Sequence, residues 1–359
     1  MNLFETIATM GHEQLVLAYD KSTGYRGIIA IHDTTLGPAL GGTRFWNYAS
    51  DEEAIIDALR LARGMTYKNA VAGLNLGGGK SVIIGDNRTT SREMIFRAHG
   101  RFVDSLGGRY VTAEDVGTGT LDMDFVHMET NYVAGLQNAS GDPSPVTARG
   151  VFRAMQATAR FRWGSDSLAG RTVAIQGCGN VGYNLARELH AVGAKLIVAD
   201  IDAERVKRVV AETGARAVAV NEVLDQNADI LAPCALGGGL NDETIPKLRV
   251  ELVVGAANNQ LLEDRHGDLI EERGITYAPD YVVNAGGVIN VYGELAGWDR
   301  TRSLRKADEI YQTILGVFEI ARADGVTSHV AADRLAERRI QAVRGMVRTW
   351  PPFPNKSET

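Results

Sequence analysis

Cysteine is almost missing from this chain: Cys178 and Cys234 are the only two among 359 residues. They stand far apart in apolar or glycine-rich stretches, where a small buried thiol fits better than a disulfide, and a reducing, cytoplasmic setting is the expectation. Histidine is sparse too, seven residues scattered singly. With no HExxH pair and no cysteine cluster, no metal site is expected. No apolar run reaches the ~20 residues that cross a bilayer. The opening MNLFETIATMGHEQLVLAYD has no basic flank before an apolar core, so no signal peptide is expected. Positive charge is not in excess: 38 basic against 44 acidic residues give a formal net charge of -6. That balance argues against a nucleic-acid partner, and the missing apolar run against a membrane one.

What remains is an ordinary globular composition, 45% hydrophobic and 23% charged, on a chain long enough for two cores. Residues 1–139 mix strand and helix patterns. A strand is expected over 26–32, and a glycine-rich segment LGPALGGTRFW follows at 36–46. Ser50 with Glu53 forms a capping box for a helix that Gly64 should end, and Thr90 with Glu93 another for a helix to about Leu106. The turn-rich SGDPSP at 140–145 is the best candidate boundary. Beyond a helix over 146–162, six short apolar runs at 172–176, 195–199, 216–220, 229–232, 252–254 and 275–278 alternate with helical patterns. That alternation predicts an α/β fold with a doubly wound parallel sheet. One long helix is expected over 304–323, a further helix over 330–347, and a helix-breaking tail WPPFPNKSET. The expected division is 1–139, 140–328 and 329–359, the last packing back onto the first.

Two lysines in the first part are unusual. Lys68 and Lys80 lie in GMTYKNAVAGLNLGGGKSVIIG, the second between three glycines and the apolar run Val82-Ile83-Ile84. Successive glycines give up backbone entropy, which is commonly accepted where something approaches the backbone closely. The segment is either a flexible turn with a solvated lysine or a buried cationic pocket. Glu114 and Asp115 end an expected strand at 109–112, either capping the next turn or facing a pocket to handle protons.

Gly177-Cys178-Gly179-Asn180-Val181-Gly182 follows the strand TVAIQ and opens the helix pattern NVGYNLARELHAVG. A second strand, KLIVAD, ends at Asp200, 23 residues past the first glycine. This is the complete context of a dinucleotide-binding unit: a tight turn, a backbone that pyrophosphate can reach, and close helix packing. Asp200 would accept from ribose hydroxyls and, with Asp202 nearby, repel a 2′-phosphate, which favours NAD; Arg205 moderates that preference. Pro233-Cys234-Ala235 and Gly255-Ala256-Ala257-Asn258-Asn259 follow later strands, where such sheets place ligands. Their small residues would let a nicotinamide lie on the backbone, and the asparagines either hydrogen-bond it or form turns.

Taken in order, LGPALGGTR, GMTYKNA, LNLGGGKSVIIGD, TAEDVGT, PSPVTARGV, QGCGNVG, APCALGG, GAANNQL and APDYVVNAGGVINV closely resemble the glutamate, leucine, phenylalanine and valine type of amino-acid dehydrogenase, over roughly residues 10–345. The leucine-type members are the most similar. The resemblance implies reversible oxidative deamination of a branched-chain L-amino acid with NAD, or of an aromatic one by the same chemistry. It also implies a homo-oligomer and a cleft between an N-terminal substrate-binding and oligomerisation domain and a Rossmann domain. Lys68 would hold the substrate carboxylate, Lys80 would be the catalytic lysine, and Asp115 would assist proton transfer. Leu40, Gly41, Met65, Ala113, Asn259 and Val288 would meet the substrate. Thr147, the loop Gly177, Gly179, Asn180, Val181 and Gly182, then Asp200, Arg205, Cys234, Ala235, Ala256, Asn258 and Asn284 would meet the cofactor.

The chemistry agrees with those types. Once hydride has left the α-carbon, water attacks the iminium, and a neutral lysine must take the water's proton. Burial and a second cation both lower a lysine pKa, while an ionised Asp115 opposes them. Where glutamate-specific members carry a lysine for the second carboxylate, this chain has Leu40, which disfavours glutamate. Leucine-type members tend to carry alanine where this chain has Gly79, and aromatic-type members glycine. Less bulk beside Lys80 would widen the pocket toward aromatic substrates. Cys178 and Gly182 also depart from the usual leucine-type loop.

Overall fold

A computed structural model describes residues 2–137 and 141–346. The first five strands are β1 (Gln14–Asp20), β2 (Tyr25–Asp33), β3 (Ala39–Trp46), β4 (Gly77–Ile84) and β5 (Tyr110–Glu114), ordered β1-β2-β4-β3-β5. β4 lies antiparallel to β2 and parallel to β3, which is parallel to β5. Alternation along the strands divides two cores. Ile28, Ala30, Val82 and Ile84 pack against Ala54, Ala58, Leu59 and Ala62 of the helix Asp51–Val71. Tyr25, Ile29, Phe45 and Ile83 point the other way, to Phe96, Val103 and Met123.

The second sheet holds β6 (Thr172–Gln176), β7 (Lys195–Ala199), β8 (Arg216–Ala217), β9 (Ile230–Pro233), β10 (Leu252–Val253) and β11 (Thr276–Tyr277). Its order is β11-β10-β9-β6-β7-β8, and every pair is parallel. The order reverses between β6 and β9, which opens the crevice where such sheets hold ligands. Two α/β units with a cleft between them therefore form the molecule.

Several elements differ from the sequence expectation. Gly64 does not end its helix, which runs on to Val71 because Thr66, Tyr67, Asn69 and Ala70 are buried beyond it. A Cβ at Gly64 would meet nothing within 4 Å, so the glycine only lowers local propensity, by about 1 kcal/mol, and packing outweighs it. The three glycines 77–79 are neither a turn nor a loop but the first three residues of β4, whose eight residues are all buried. Ser50 caps as expected, its hydroxyl accepting the Glu53 N–H at 3.1 Å. Thr90 does not cap: the next helix is Arg92–Asp104 with Ser91 before it and no side-chain cap. The helix expected over 304–323 is two, Arg300–Asp308 and Ile310–Asp324. Between β9 and β10 only the short 3-10 turn Ile245–Lys247 appears instead of a helix.

The helix Ser328–Arg344 lies against the first unit. Arg339 donates to the Ala70 carbonyl at 2.8 Å, Tyr67 donates to Glu337 at 2.8 Å, and Arg344 pairs with Asp33. The boundary expected at 139/140 and the tail WPPFPNKSET fall outside the described residues. Among the described residues no helix is long and apolar enough to cross a membrane.

Candidate active site

Lys80 is brought into the cleft by strand alternation. On β4, Gly78 and Lys80 share the face that meets the helix Asp51–Val71, whereas Gly79 and Ser81 share the other. An added Cβ at Gly78 would stand 2.1 Å from the Thr66 backbone nitrogen, so glycine there lets the helix settle onto the strand. The last two turns of that helix then carry Met65 and Lys68 to the cleft, while the end of β5 delivers Asp115. A cavity of about 330 Å³ results, walled on one side by Leu40, Gly41, Gly42, Met65, Lys68, Lys80, Ala113, Glu114 and Asp115. On the other stand Thr147, Val181, Ala256, Asn258, Asn284, Gly287, Val288 and Val291.

Lys80 is 4% exposed, and its Nζ lies 2.9 Å from Asp115 Oδ1. Arg44 Nε donates to Asp115 Oδ2 at 3.0 Å, and Arg44 Nη1 donates to Asp57 Oδ2 at 2.7 Å. Tyr48 donates its phenol to the same Asp57 oxygen at 2.7 Å. Lys68 Nζ donates to Asn258 Oδ1 across the cleft at 3.2 Å.

These surroundings set the proton affinities. Desolvation lowers the Lys80 pKa below the ordinary lysine value, with a smaller push from Arg44, and it outweighs the opposing attraction of Asp115. Lys68 is brought down to about 8, first by desolvation and also by Lys80, against the pull of Asp280 and Asp115. Burial pushes Asp115 up, but the Lys80 and Arg44 charges win and hold it below its usual value. The site therefore pairs an ionised carboxylate with an amine that gives up its proton more readily than a free lysine.

The glycine loop fits a dinucleotide. Gly177 has φ +103°, in the range that favours glycine, and its Cβ would stand 2.8 Å from the Cys234 carbonyl. A Cβ at Gly182 would lie 2.0 Å from the Gly177 oxygen, so this glycine seats the helix Asn180–Ala191 on the turn. Gly179 faces open space, its Cβ meeting nothing nearer than Arg205 Nη1 at 4.0 Å, and the helix behind it has no side-chain cap. That leaves its first N–H groups aimed at the place a pyrophosphate would take. Asp200 accepts the Cys178 and Asp202 N–H groups at 2.6 and 2.8 Å, which fixes its carboxylate beside the loop. In the cleft, Asn284 donates to the Ala256 carbonyl at 3.1 Å and to Asn258 Oδ1 at 2.8 Å. Its own Oδ1 is buried with no partner, an acceptor free for a carboxamide N–H.

Two sequence expectations are corrected here. Asn259, expected at the substrate, is exposed outside the cavity lining; it has φ +50° and its carbonyl accepts the Gly238 N–H at 2.7 Å, a turn residue. Gly79 is not a pocket wall either. Its missing Cβ would point at the Tyr110 ring, 2.7 Å away, on the face opposite Lys80, so the proposed widening beside Lys80 does not exist.

Arg44, Asp57 and Asp280 were not anticipated. Arg44 shares a strand face with Leu40 and Gly42, and a charge at a period-2 position of a buried strand is the signal that marks it. Cys234 and Ala235 lie behind Gly177 rather than in the cavity. Among the described residues no group of three or more His, Cys, Asp or Glu could hold a metal ion.

Fold and site define a two-domain dehydrogenase working with a nicotinamide cofactor. A family model described as "Glu/Leu/Phe/Val dehydrogenase, dimerisation domain" matches residues 12–132, and "Glutamate/Leucine/Phenylalanine/Valine dehydrogenase" matches 197–344. A third, "D-isomer specific 2-hydroxyacid dehydrogenase, NAD binding domain", matches 146–245, the stretch with the glycine loop. Leucine dehydrogenase of Geobacillus stearothermophilus is 58% identical over 347 residues, 96% of this chain and 95% of that protein. Valine dehydrogenase of Streptomyces coelicolor is 51% identical over 93% of each. The crystal structure of L-tryptophan dehydrogenase from Nostoc punctiforme superposes with a TM-score of 0.88 at 47% identity, covering 95% of this chain and 99% of that one. The chain belongs to the Glu/Leu/Phe/Val dehydrogenase family, with leucine dehydrogenases among its relatives at 57–58% identity.

Proposed function

We propose that this enzyme carries out reversible, NAD-dependent oxidative deamination of branched-chain L-amino acids to 2-oxo acids and ammonia. The observation that carries the reading is the Lys80–Asp115 pair beside Lys68 on one wall of a cavity that also offers an apolar lining. Lys68 holds the substrate carboxylate. Leu40, Met65, Ala113, Val288 and Val291 supply apolar walls to the side chain, and among the described residues the cations in the lining are Lys68 and Lys80. A bound nicotinamide supplies the hydride acceptor for the α-carbon. Neutral Lys80 takes a proton from the attacking water, and Asp115 receives and returns protons at Lys80 Nζ. Residues 1–139 form the substrate-binding and oligomerisation unit of a homo-oligomer, 140–328 the cofactor unit, and 329–359 the C-terminal segment, whose helix packs on the first.

Asp200 beside the loop supports NAD over NADP. Arg205, which could have met a 2′-phosphate, is engaged by Asp202 at 3.2 Å. Reduction of NAD across a panel of L-leucine, valine, isoleucine, phenylalanine, tryptophan and glutamate tests the reading. The branched-chain substrates should exceed glutamate by about 100-fold or more in kcat/KM, since an unpaired buried carboxylate costs several kcal/mol. NADP should fall at least about tenfold behind NAD, from like-charge repulsion at Asp200. Preference for phenylalanine or tryptophan would move the assignment to the aromatic members, and a reverse reaction that needs no ammonia would refute it.

A further inference from the structure

We propose that Arg44 is a positioning residue for the reaction: it clamps the second oxygen of Asp115 so that the first stays on Lys80, and Asp57 holds the other end of the clamp. The inference rests on the assignment of Lys80 as the base. Four charges alternate in sign through the wall of the cleft: Lys80, Asp115, Arg44 and Asp57. Lys80 and Arg44 each contact a different Asp115 oxygen, at 2.9 and 3.0 Å, and the Nη1 of Arg44 reaches Asp57 at 2.7 Å. The side chains of Arg44, Asp57 and Asp115 are 20%, 15% and 24% exposed, so water does not carry much of this charge.

The geometry needs a guanidinium. Its planar fork spans two carboxylates at fixed angles, whereas an ammonium at the same place is a point charge that cannot hold both in register. With Oδ2 occupied, the Asp115 carboxylate cannot rotate away from Lys80. Arg44 also shares the negative charge of Asp115, which would otherwise fall on Lys80 alone and keep it protonated. Its outer side faces a separate surface cavity of about 580 Å³, lined also by Trp46, Tyr48, Ile56 and Arg60. The clamp thus stands between that surface and the reacting atoms without touching substrate.

The groups acting on Lys80 are Asp115 from the end of β5, Arg44 from β3, and Asp57 from the helix Asp51–Val71. Lys68 on the same helix senses Lys80, and Asp280 and Asp115 act on Lys68. Tyr48 and Arg60 hydrogen-bond Asp57. Arg44 and Asp57 act on Lys80 with opposite signs, so their removal should move its titration in opposite directions.

The test is the pH dependence of kcat for L-leucine deamination in the full-length enzyme. In Arg44→Gln the acid limb should move to higher pH, so that at a fixed pH on the wild-type limb the fraction of plateau activity falls about tenfold, the usual consequence of one lost charge contact. Arg44→Lys should keep the limb near its wild-type place with a lower plateau. Asp57→Asn should move the limb to lower pH. A plateau that falls in Arg44→Gln while the limb stays in place would overturn the proposal. If Arg44→Gln does not fold, Asp57→Asn carries the test alone, and an unmoved limb overturns it. A limb that survives in Lys80→Ala would instead remove the assignment of Lys80, and the role of Arg44 with it.

Discussion

Lys80→Ala should lower the rate of deamination by roughly 10²–10⁴-fold, the contribution ordinarily made by a positioned acid or base, while NAD binding stays unchanged. The separation follows from where the residue sits. Lys80 lies at the centre of β4 and touches Asp115, whereas the loop 177–182 belongs to the other unit. Removing the lysine does not strand the carboxylate, since Arg44 still holds Asp115 Oδ2 at 3.0 Å. Nor can Lys68 substitute, because it is tied to Asn258 and is proposed to hold the substrate carboxylate. Steady-state rates with L-leucine, together with a titration of NAD binding, check both halves. Substantial residual turnover would sink the assignment.

Gly78→Ala is expected to damage the enzyme from a position with no functional group at all. The new Cβ would lie 2.1 Å from both the backbone nitrogen and Oγ1 of Thr66, and backbone cannot swing aside as a flexible side chain could. Thr66 is pinned further by its hydroxyl, 2.8 Å from His32 Nδ1. The helix Asp51–Val71 must lift from the sheet, at a cost of about 1–3 kcal/mol for an overpacked core. Lys68 is two residues along the same helix, and a displacement of ~1 Å at a positioning group can cost about 100-fold in rate. Denaturant unfolding and kcat/KM should therefore fall together. A variant with wild-type stability and activity would show that the helix does not rest on Gly78.

The second unit was legible from sequence because its signals are local. A glycine loop between a strand and a helix, and apolar runs of regular spacing, state their structure within about thirty residues, and the parallel sheet matches them strand for strand. The lysine segment was only half legible. A run of three glycines has no side chains to alternate, so nothing in it distinguishes a strand from a turn, and the reason for Gly78 lies at Thr66 on another element. The same blindness misplaced Gly79, whose neighbour Lys80 faces the cleft while Gly79 itself faces Tyr110. Arg44 escaped notice because its partners, Asp57 and Asp115, are 13 and 71 residues away and meet it only once β3, β5 and the helix are assembled. Asn259 carried a turn signal beside its binding signal, a turn being the commoner role of asparagine, and the backbone takes the turn.

The central claim is that the cleft holds Lys80 as an amine ready to accept a proton beside an ionised Asp115. A lysine whose pKa is lowered loses its proton at lower pH than a free one, so activity that needs the neutral form rises with pH through that lowered value. The direct measurement is the titration of Lys80 Nζ by NMR in enzyme labelled with ¹⁵N-lysine, its resonance identified by its loss in Lys80→Ala. The expected midpoint lies below the ordinary lysine value of 10.5. A midpoint at or above that value would mean that the Asp115 charge wins over desolvation, and Lys80 could not serve as the base.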